Sequence, residues 1–268
     1  IIMITDTLQN ELRERYNPNG STLRKQQLRM LEMLQYIDSV CKKHNIRYWL
    51  CSGTLLGAVR HGGFIPWDDD VDIEMLREDY KRLIKVLHEE PSSHYAVQTC
   101  QSDSDYTLPF GKLRDLHSHV IERGVTKCRY DGCWIDLFYL EKNTYSCLKL
   151  SVGLQKFFLA STGTLKGRPK FLLSFYKALL HNFSFPILRF INKLFPLKYL
   201  YHTYGVAFYK NRRPEDIFPL GEIEFEGIKF SAPVDVNSYL QRIYGDYMKL
   251  PSIDKIKTHE LEIKFEEK

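Results

Sequence analysis

The sequence predicts an α+β protein in which a mixed sheet is flanked by helices. Segments with apolar residues every three or four positions alternate with short segments rich in β-branched and aromatic residues. Their order is helix, strand, helix, strand and helix, followed by several strands, which indicates a mixed core. With 268 residues, of which 44% are hydrophobic, the chain is long enough to bury such a core.

The first strong helix is predicted over residues 23–45. Ser21 and Thr22 precede it as capping residues, and the basic sequence CKKHN suits its C-terminus. The apolar positions that follow the helical spacing are Leu28, Leu31, Leu34, Ile37 and Cys41. These residues are expected to form the buried face.

The elements that follow are shorter. A strand over 46–53 is expected to run into a turn at Gly53, with one or two helical turns over 54–61 and another strand over 71–75. A second amphipathic helix, over 77–90, carries Tyr80, Leu83, Ile84 and Leu87 on one face and ends at Pro91. Strands are then predicted over 94–100, 110–115, 119–124 and 133–140.

The last part of the chain is divided by composition. Residues 146–209 are predicted to form helices, interrupted by Gly163, Gly167, Pro169, Pro186 and Pro196. The apolar runs in this section are too short to span a bilayer. A hairpin around Glu226-Gly227 and a short helix over 236–248 follow. We therefore divide the chain into four parts: an N-terminal extension (1–22), a catalytic core (23–145), a basic helical insertion (146–214), and a C-terminal hairpin and helix that pack on the core (215–268).

The positive charge is concentrated in one section. Residues 142–214 contain thirteen Lys or Arg and no Asp or Glu, whereas the rest of the chain has 25 basic and 33 acidic residues. This section should face an anionic partner, such as a membrane or a polymer. No recognised nucleic-acid-binding motif accompanies the charges, so we expect no nucleic acid partner.

Six cysteines without a CxxC pair or a recurring spacing favour reduced thiols over a disulfide framework or a zinc site. The first fifteen residues lack the basic start and apolar run of a secretory signal. We therefore expect a cytoplasmic protein. Peripheral contact with the inner face of the cell membrane, through residues 146–214, is a further expectation.

The most informative feature is the acidic cluster in the sequence WDDDVDIEM. Four carboxylates in five positions raise each other's pKa unless something neutralises them. If 70–73 form a strand, Asp70 and Asp72 point to the same side, about 7 Å apart, while Val71 and Ile73 enter the core. Two carboxylates with no His or Cys nearby suit Mg²⁺ or Mn²⁺. Asp68 and Asp69 would then complete the loop.

A third carboxylate and a phosphate cradle would complete a site for phosphoryl or nucleotidyl transfer. Asp136 is an isolated acid in the apolar segment CWIDLFYL, where burial without a partner is costly, although a turn or capping role is the alternative. The turn Ser52-Gly53-Thr54 offers small residues and backbone N–H groups at a helix start, which suits an anion. Such triplets are also common in ordinary loops.

Gly53-Thr54, a spacer of fifteen residues, Asp70-Val71-Asp72-Ile73 and a later strand Asp match the pattern of the nucleotidyltransferase superfamily. The longer string WLCSGTLLGAVRHGGFIPWDDDVDIEM closely resembles the signature of the LicD family of phosphocholine transferases, which also includes fukutin-like glycan-modifying proteins. GKLRD, CWIDLFYL and YGDYMKLP resemble further segments of that family. The resemblance covers residues of about 23–140 and 217–260.

This resemblance implies a nucleotidyltransferase-like fold and transfer of a phospho-alcohol, with CDP-choline as the first donor to consider, to a sugar hydroxyl of a cell-surface glycan. That glycan would be of teichoic acid, capsule or lipopolysaccharide type, free or lipid-linked. By position, Asp70, Asp72 and Asp136 would hold Mg²⁺, and Gly53 and Thr54 would contact the donor phosphates. The resemblance leaves the alcohol and the acceptor sugar open.

Several cationic and aromatic residues are further candidates for substrate binding. Lys112 and Arg114 share one face of a predicted strand, where a diphosphate could lie, although solvated strand positions are equally common. Arg60 and His61 lie beside the Gly62-Gly63 turn and would bind substrate or order the loop. His61 is not assigned as a base, because a metal-bound hydroxyl or an aspartate could take the proton. Trp67 would stack on a base or on a choline ammonium, or else pack in the core.

Two other functions fit parts of the sequence. A nucleotidyltransferase acting on a small acceptor would use the same acids, and it would release pyrophosphate rather than CMP. A non-catalytic module that binds membrane or glycan would use only the basic section.

Overall fold

The structure is a computed structural model that describes residues 5–121, 128–163, 170–252, 256 and 262–266. The strands are β1 (Tyr48–Leu50), β2 (Asp72–Leu76), β3 (Tyr95–Gln98), β4 (Gly111–Asp115), β5 (Ser118–Ile121), β6 (Trp134–Lys142), β7 (Leu200–His202), β8 (Gly221–Phe225), β9 (Ile228–Ala232) and β10 (Glu262–Phe265). The helices are α1 (Asp6–Tyr16), α2 (Thr22–Lys43), α3 (Ser52–His61), α4 (Arg77–Glu89), α5 (Tyr145–Gly163), α6 (Lys170–Ala178), α7 (Phe185–Asn192), α8 (Pro214–Ile217) and α9 (Val236–Tyr244). A π-helical turn (Leu179–Ser184) connects α6 and α7.

A mixed sheet lies at the centre of the fold, in the order β1-β2-β6-β4-β3, and β7 pairs with the end of β6. Strands β2 and β6 are parallel, whereas the other pairs of this sheet are antiparallel. Two small antiparallel sheets, β5–β10 and the hairpin β8–β9, accompany it. The predicted α+β class, with a mixed sheet flanked by helices, is confirmed.

The register of the central strands places polar residues side by side. Asp72 of β2 is paired with Asp136 of β6, and Asp136 is also paired with Lys112 of β4. Neighbouring strands lie about 4.8 Å apart, and paired residues point to the same face of a sheet. The sheet therefore places two carboxylates and one lysine side by side in a row across three neighbouring strands.

Helix α2 begins as predicted, but its buried face differs from the prediction. The Ser21 hydroxyl accepts a hydrogen bond from the Arg24 N–H, with 3.1 Å between the heavy atoms. Leu28 is exposed and Leu31 is only half-buried. The buried positions are Gln26, Gln27, Met30, Met33, Leu34, Ile37 and Cys41. Placing Leu28 on the buried face was wrong, because the glutamine pair takes that place in the first turns.

Two predicted boundaries near the acidic cluster are also wrong. The chain does not turn at Gly53, because α3 already begins at Ser52. The bend is made at Ser52 itself, which has a φ of 47°. The Leu55 N–H donates to the Cys51 carbonyl. The strand predicted over 71–75 is present as β2, which begins at Asp72, so it is the conditional strand starting at residue 70 that is wrong. The Val71 carbonyl still accepts from the Asp136 N–H over 2.8 Å, so that Asp70 lies in the loop before the ladder.

The predicted helix break at Pro186 is wrong as well. The helical path continues from Lys170 to Asn192, and within it the Phe185 N–H donates to the carbonyl of Leu180, five residues earlier. Pro186 lies in the first turn of α7, where its missing N–H is tolerated because the wider turn precedes it. The sequence prediction also missed β7 in this region, while Gly167 and Pro169 lie outside the described residues.

The helices α5 to α7 have a small core of their own, formed by Phe158, Leu180, Phe185, Leu188 and Tyr204. Polar contacts attach this region to the rest of the fold. The Lys177 Nζ donates to the carbonyls of Asp103 and Ser104, at 3.0 and 2.6 Å, and Arg189 makes two bonds to Glu141, at 2.6 and 2.9 Å.

The C-terminal hairpin and α9 contribute to the main core through Phe225, Phe230, Tyr239, Leu240 and Ile243. The predicted four-part division stays a prediction. Within the described residues, no helix has both the length and the apolar character needed to cross a membrane.

Candidate active site

Three carboxylates meet at one edge of the central sheet. Asp72 opens β2, Asp136 lies opposite it on β6, and Asp70 reaches the same place from the preceding loop. One oxygen from each of the three lies within 4.8 Å of the other two. Oxygens of Asp68, Asp69 and Asp70 form a second group with the same limit. The structure thus brings together all three residues predicted as metal ligands.

Burial makes this cluster electrostatically unfavourable without a cation. Burial and the neighbouring carboxylates Asp136 and Asp69 raise the pKa of Asp70 to about 6. The pKa of Asp72 is raised well above its usual value by burial and by the charges of Asp70 and Asp136. Burial and Asp70 also raise the pKa of Asp68, and these two side chains share a hydrogen bond. A bound cation would reverse this penalty.

The donor set fits Mg²⁺ or Mn²⁺. Octahedral Mg²⁺ with oxygens at about 2.1 Å requires ligand oxygens roughly 3 to 4 Å apart, which is compatible with the 4.8 Å limit of the cluster. The group of Asp70, Asp72 and Asp136 contains only carboxylate oxygens, the ligands that hard divalent cations prefer. These three residues would hold the ion.

Lys112 supplies a positive charge beside the cluster. Its Nζ lies 2.7 Å from Oδ1 of Asp136, and both side chains are about nine-tenths buried. The same ammonium lies over the indole ring of Trp134, 4.2 Å from its centroid. Arg114, the other predicted cation of β4, is held further along the strand, where it donates to the Gln98 side chain and the Gly132 carbonyl.

The predicted phosphate cradle lies directly against the acids. The Thr54 hydroxyl is buried and accepts a hydrogen bond from the Asp72 N–H over 2.8 Å. A Cβ atom added to Gly53 would stand 2.6 Å from Oδ2 of Asp68, so any other residue would require this carboxylate to move. Gly53 and Thr54 therefore fix the acidic loop against the first turn of α3, and their contact with donor phosphates stays a prediction.

Arg60 and His61 lie in the last turn of α3, and Trp67 directly precedes the acidic loop. The Arg60 Nε donates to His61 Nε2 over 3.0 Å, and the opposite ring nitrogen lies 2.6 Å from the Gln9 side-chain oxygen. Burial and the Arg60 charge lower the pKa of His61 to about 3, so the ring is neutral. Trp67 is half-buried and packs edge-on against Tyr16 and His61. His61 thus packs on the residue that precedes the acidic loop, and substrate contacts of Arg60, His61 and Trp67 stay a prediction.

Two residues that sequence reasoning missed hold the acidic loop from α2. The Gln26 amide donates to the carbonyl of Asp69 over 2.7 Å, and the Gln27 amide donates to that of Asp68 over 2.9 Å. Both glutamines are buried. The signal that could have identified them is two adjacent amides on a helical face that is otherwise apolar.

A buried ion pair behind β2 was also missed. Glu74, two residues after Asp72, is fully buried and accepts hydrogen bonds from Arg212, from Tyr239 at 2.5 Å and from Trp49 at 3.2 Å. Burial alone would raise the pKa of Glu74, but the Arg212 charge and the hydrogen bonds outweigh burial and lower it to about 2. The available signal was the position of Glu74, two residues after the predicted metal ligand Asp72 in the same strand.

This geometry can be compared with known proteins. Residues 45–147 match the family described as LicD/FKTN/FKRP, nucleotidyltransferase domain. The lipopolysaccharide cholinephosphotransferase LicD of Haemophilus influenzae is 30% identical over 270 residues, which span 90% of this chain and 97% of that protein. The chain belongs to the LicD family. As the sequence predicts, this LicD-family chain is a transferase.

Other relatives are similar over shorter stretches. The ribitol 5-phosphate transferase FKRP of Homo sapiens is 50% identical over 48 residues, which are 18% of this chain and 10% of that protein. The ribitol-5-phosphate transferase FKTN of Mus musculus is 42% identical over 53 residues, 20% of this chain and 12% of that protein. The names of these two relatives indicate transfer of ribitol 5-phosphate, whereas the name of the Haemophilus influenzae relative indicates transfer of choline phosphate.

Proposed function

We propose that this LicD-family protein transfers phosphocholine, or a related phospho-alcohol, from a CDP-linked donor to a sugar hydroxyl of a cell-surface glycan. The reaction would require Mg²⁺ or Mn²⁺. The observation that carries the proposal is the meeting of Asp70, Asp72 and Asp136 within 4.8 Å at the edge of the sheet. The similarity over nearly the full length of a cholinephosphotransferase supports the choice of the transferred group.

In the proposed reaction the acceptor hydroxyl oxygen attacks the phosphorus that carries the alcohol. The bond between this phosphorus and the bridging oxygen breaks, CMP leaves, and the hydroxyl proton passes to an aspartate or to water. The metal ion would offset negative charge on the diphosphate and on the departing CMP.

The chain's own residues would support this step in three ways. Asp70, Asp72 and Asp136 bind the ion, and Lys112, paired with Asp136, adds a positive charge where the diphosphate lies. The backbone at Gly53 and Thr54 is the proposed contact for the donor phosphates. Arg60, whose charge interacts with that of Asp68, and Trp67, which directly precedes Asp68, are the proposed contacts for the nucleotide or the alcohol.

The acceptor and the cellular location belong to the same proposal. We place the enzyme in the cytoplasm, at the inner face of the membrane, where it would meet a glycan precursor of lipopolysaccharide, teichoic acid or capsule type. The basic region 146–214 would provide the peripheral contact.

The experiment that tests the proposal measures products. The protein is incubated with CDP-choline, CDP-ethanolamine, CDP-ribitol or CDP-glycerol, with Mg²⁺ or with EDTA, and with candidate glycans. We expect CMP release that depends on one donor and on Mg²⁺. Asp72→Asn and Asp136→Asn should abolish the release, and Glu89→Gln, an exposed carboxylate on α4, should leave it unchanged.

Two outcomes would contradict the proposal. Full activity in the doubly substituted Asp70→Asn/Asp72→Asn protein would remove the metal site from the mechanism. Release of pyrophosphate from a nucleoside triphosphate, with no CMP from any CDP-alcohol, would show a nucleotidyltransferase instead.

A further inference from the structure

The helices α6 and α7 and the π-helical turn between them expose a long row of large apolar side chains. Phe171, Phe190 and Leu194 are 66%, 67% and 70% exposed, values that are unusual for such residues. The exposed row, here called the apolar ridge, consists of Phe171, Phe175, Leu179, Phe183, Ile187, Phe190 and Leu194. The opposite side of the same helices carries the buried residues Leu180, Phe185 and Leu188.

The π-helical turn helps to keep this ridge on one side. From Phe171 to Ile187 the exposed residues recur every four positions. On a regular α-helix each four-residue step drifts by about 40°, so a row of this length would wind around the helix. The turn over Leu179–Ser184 includes an extra residue, which rotates the later side chains back by about 100°. The ridge is therefore straighter than a regular helix would allow.

The section of chain that carries the ridge has charges of a single sign. Residues 142–214 contain no acidic side chain. Lys149 and Lys156 are exposed on α5, and Lys193 and Lys198 are exposed at and beyond the end of α7. Lys177 and Arg189, by contrast, point inward to carbonyls and to Glu141. The section of chain that carries the ridge therefore combines exposed apolar side chains with exposed lysines and contributes no acid of its own.

These features distinguish between possible occupants of the ridge. A second copy of the chain would bring two acid-free basic regions together, at a cost in charge repulsion. An anionic bilayer accepts apolar side chains at the level of its head groups and attracts lysines at the same time. Charge complementarity therefore favours a lipid surface.

We infer that the apolar ridge is a membrane-docking face, which inserts its phenylalanines into an anionic leaflet while the exposed lysines contact lipid phosphates. This deepens the proposed membrane contact of region 146–214, and it rests on the proposed function in that a lipid-linked acceptor would be met at this surface. It also assigns the role to a particular row of side chains rather than to the basic charge alone.

The test is co-sedimentation of the full chain with phosphatidylcholine vesicles, with and without phosphatidylglycerol, at low and high salt. We expect binding to the anionic vesicles that salt weakens. Phe183→Ser/Phe190→Ser should lower the affinity at least about tenfold, because each inserted phenylalanine contributes on the order of one tenfold step. Leu28→Ser/Val234→Ser, which removes two exposed apolar side chains elsewhere, should bind as the unsubstituted protein does.

A charge test and a spectroscopic test complete the design. Lys149→Glu/Lys193→Glu should weaken binding to anionic vesicles, whereas Lys25→Glu/Lys249→Glu makes the same change in net charge and should have a smaller effect. The native tryptophans are Trp49, Trp67 and Trp134, all outside the ridge. In Phe190→Trp, the added fluorescence should shift to the blue when anionic vesicles are mixed in.

Three results would overturn the inference. One is no vesicle binding at low salt, and another is equal binding by Phe183→Ser/Phe190→Ser and by the unsubstituted protein. The third is a dimer in solution that this same double variant dissociates, which would make the ridge a contact between copies. CMP release from a CDP-alcohol with a water-soluble glycan is measured in parallel, so failure of the proposed chemistry is seen separately from failure of membrane docking.

Discussion

The ammonium of Lys112 lies 2.7 Å from the carboxylate of Asp136, on neighbouring strands of the central sheet. A divalent ion bound by Asp136 would compete with this lysine for the same carboxylate. We expect Lys112→Met to bind Mg²⁺ more tightly, seen as a larger rise in melting temperature with added ion, because the competing cation is gone. Turnover should nevertheless fall by about 100-fold, since a charge beside the diphosphate is lost.

Two variants serve as controls for this prediction. Lys112→Arg keeps the charge and should recover part of the turnover, and Lys81→Met on the exposed side of α4 should change neither quantity. A Lys112→Met protein with unchanged turnover would contradict the assigned role of the lysine.

Replacement of a proposed metal ligand should separate activity from stability. Asp72→Asn removes one of several buried like charges, so the metal-free protein should melt at the same temperature or higher. We expect Mg²⁺ to raise the melting temperature of the unsubstituted protein, and in the variant this rise should disappear together with CMP release. Thermal unfolding in EDTA and in Mg²⁺ measures both effects, and a Mg²⁺-dependent shift that persists in the variant would count against the site.

Gly53→Ala is expected to damage the acidic loop even though alanine favours helices. The added Cβ would stand 2.6 Å from Asp68 Oδ2, so the carboxylate must move. We expect weaker Mg²⁺ binding and lower turnover. Gly153→Ala is a matched control in α5, where a Cβ meets nothing within 4 Å, and it should be neutral or stabilising by up to ~1 kcal/mol. Equal behaviour of the two variants would refute the close-approach argument.

The buried pair of Glu74 and Arg212 should be costly to break. Arg212→Met leaves Glu74 buried without its cation, and the expected loss is about 3–5 kcal/mol in the free energy of unfolding. The double variant Glu74→Gln/Arg212→Met should lose less than Arg212→Met alone. Urea denaturation measures these values, and Arg213→Met, at a more exposed neighbouring position, should change stability by less than about 0.5 kcal/mol.

His61 gives a prediction about pH. Its pKa is about 3 in the folded protein, below the 6.5 of an unperturbed histidine, so the unfolded chain binds the proton first as the pH falls. The contribution of neutral His61 to the free energy of unfolding is complete above pH 6.5 and is lost as the pH falls from 6.5 toward 3. In this range the free energy of unfolding should fall by up to ~1.4 kcal/mol per pH unit. His61→Gln should remove this part of the slope, and His88→Gln, exposed on α4, should retain it. Identical pH profiles for the three proteins would refute the assignment.

The parts of the fold that depend on local pattern were predictable from the sequence. The helices over Thr22–Lys43 and Arg77–Glu89 follow the apolar spacing, and the hairpin follows the alternation around Glu226-Gly227. The meeting of Asp72 and Asp136 was anticipated because each acid interrupts an apolar strand. The boundaries near Gly53 and Pro186 could not be predicted. The first depends on the positive φ of Ser52 and the second on a π-helical turn, and neither feature has a clear sequence pattern.

Contacts between distant parts of the chain could not be predicted in the same way. Gln26 bonds to a residue 43 positions away, and Arg212 bonds to one 138 positions away. Each of these residues alone resembles an ordinary polar residue on a helix or in a loop. Their partners are set by the packing of the whole sheet and its helices, which local periodicity does not specify.

The two glutamines of α2 restrain the acidic loop through uncharged amides. Had lysines or arginines occupied those places, they would have cancelled part of the loop's negative potential and weakened its attraction for a divalent ion. The two neutral amides give the loop a fixed shape without adding a positive charge to it. The proposed metal ligands would thereby be held in place by groups that do not neutralise them.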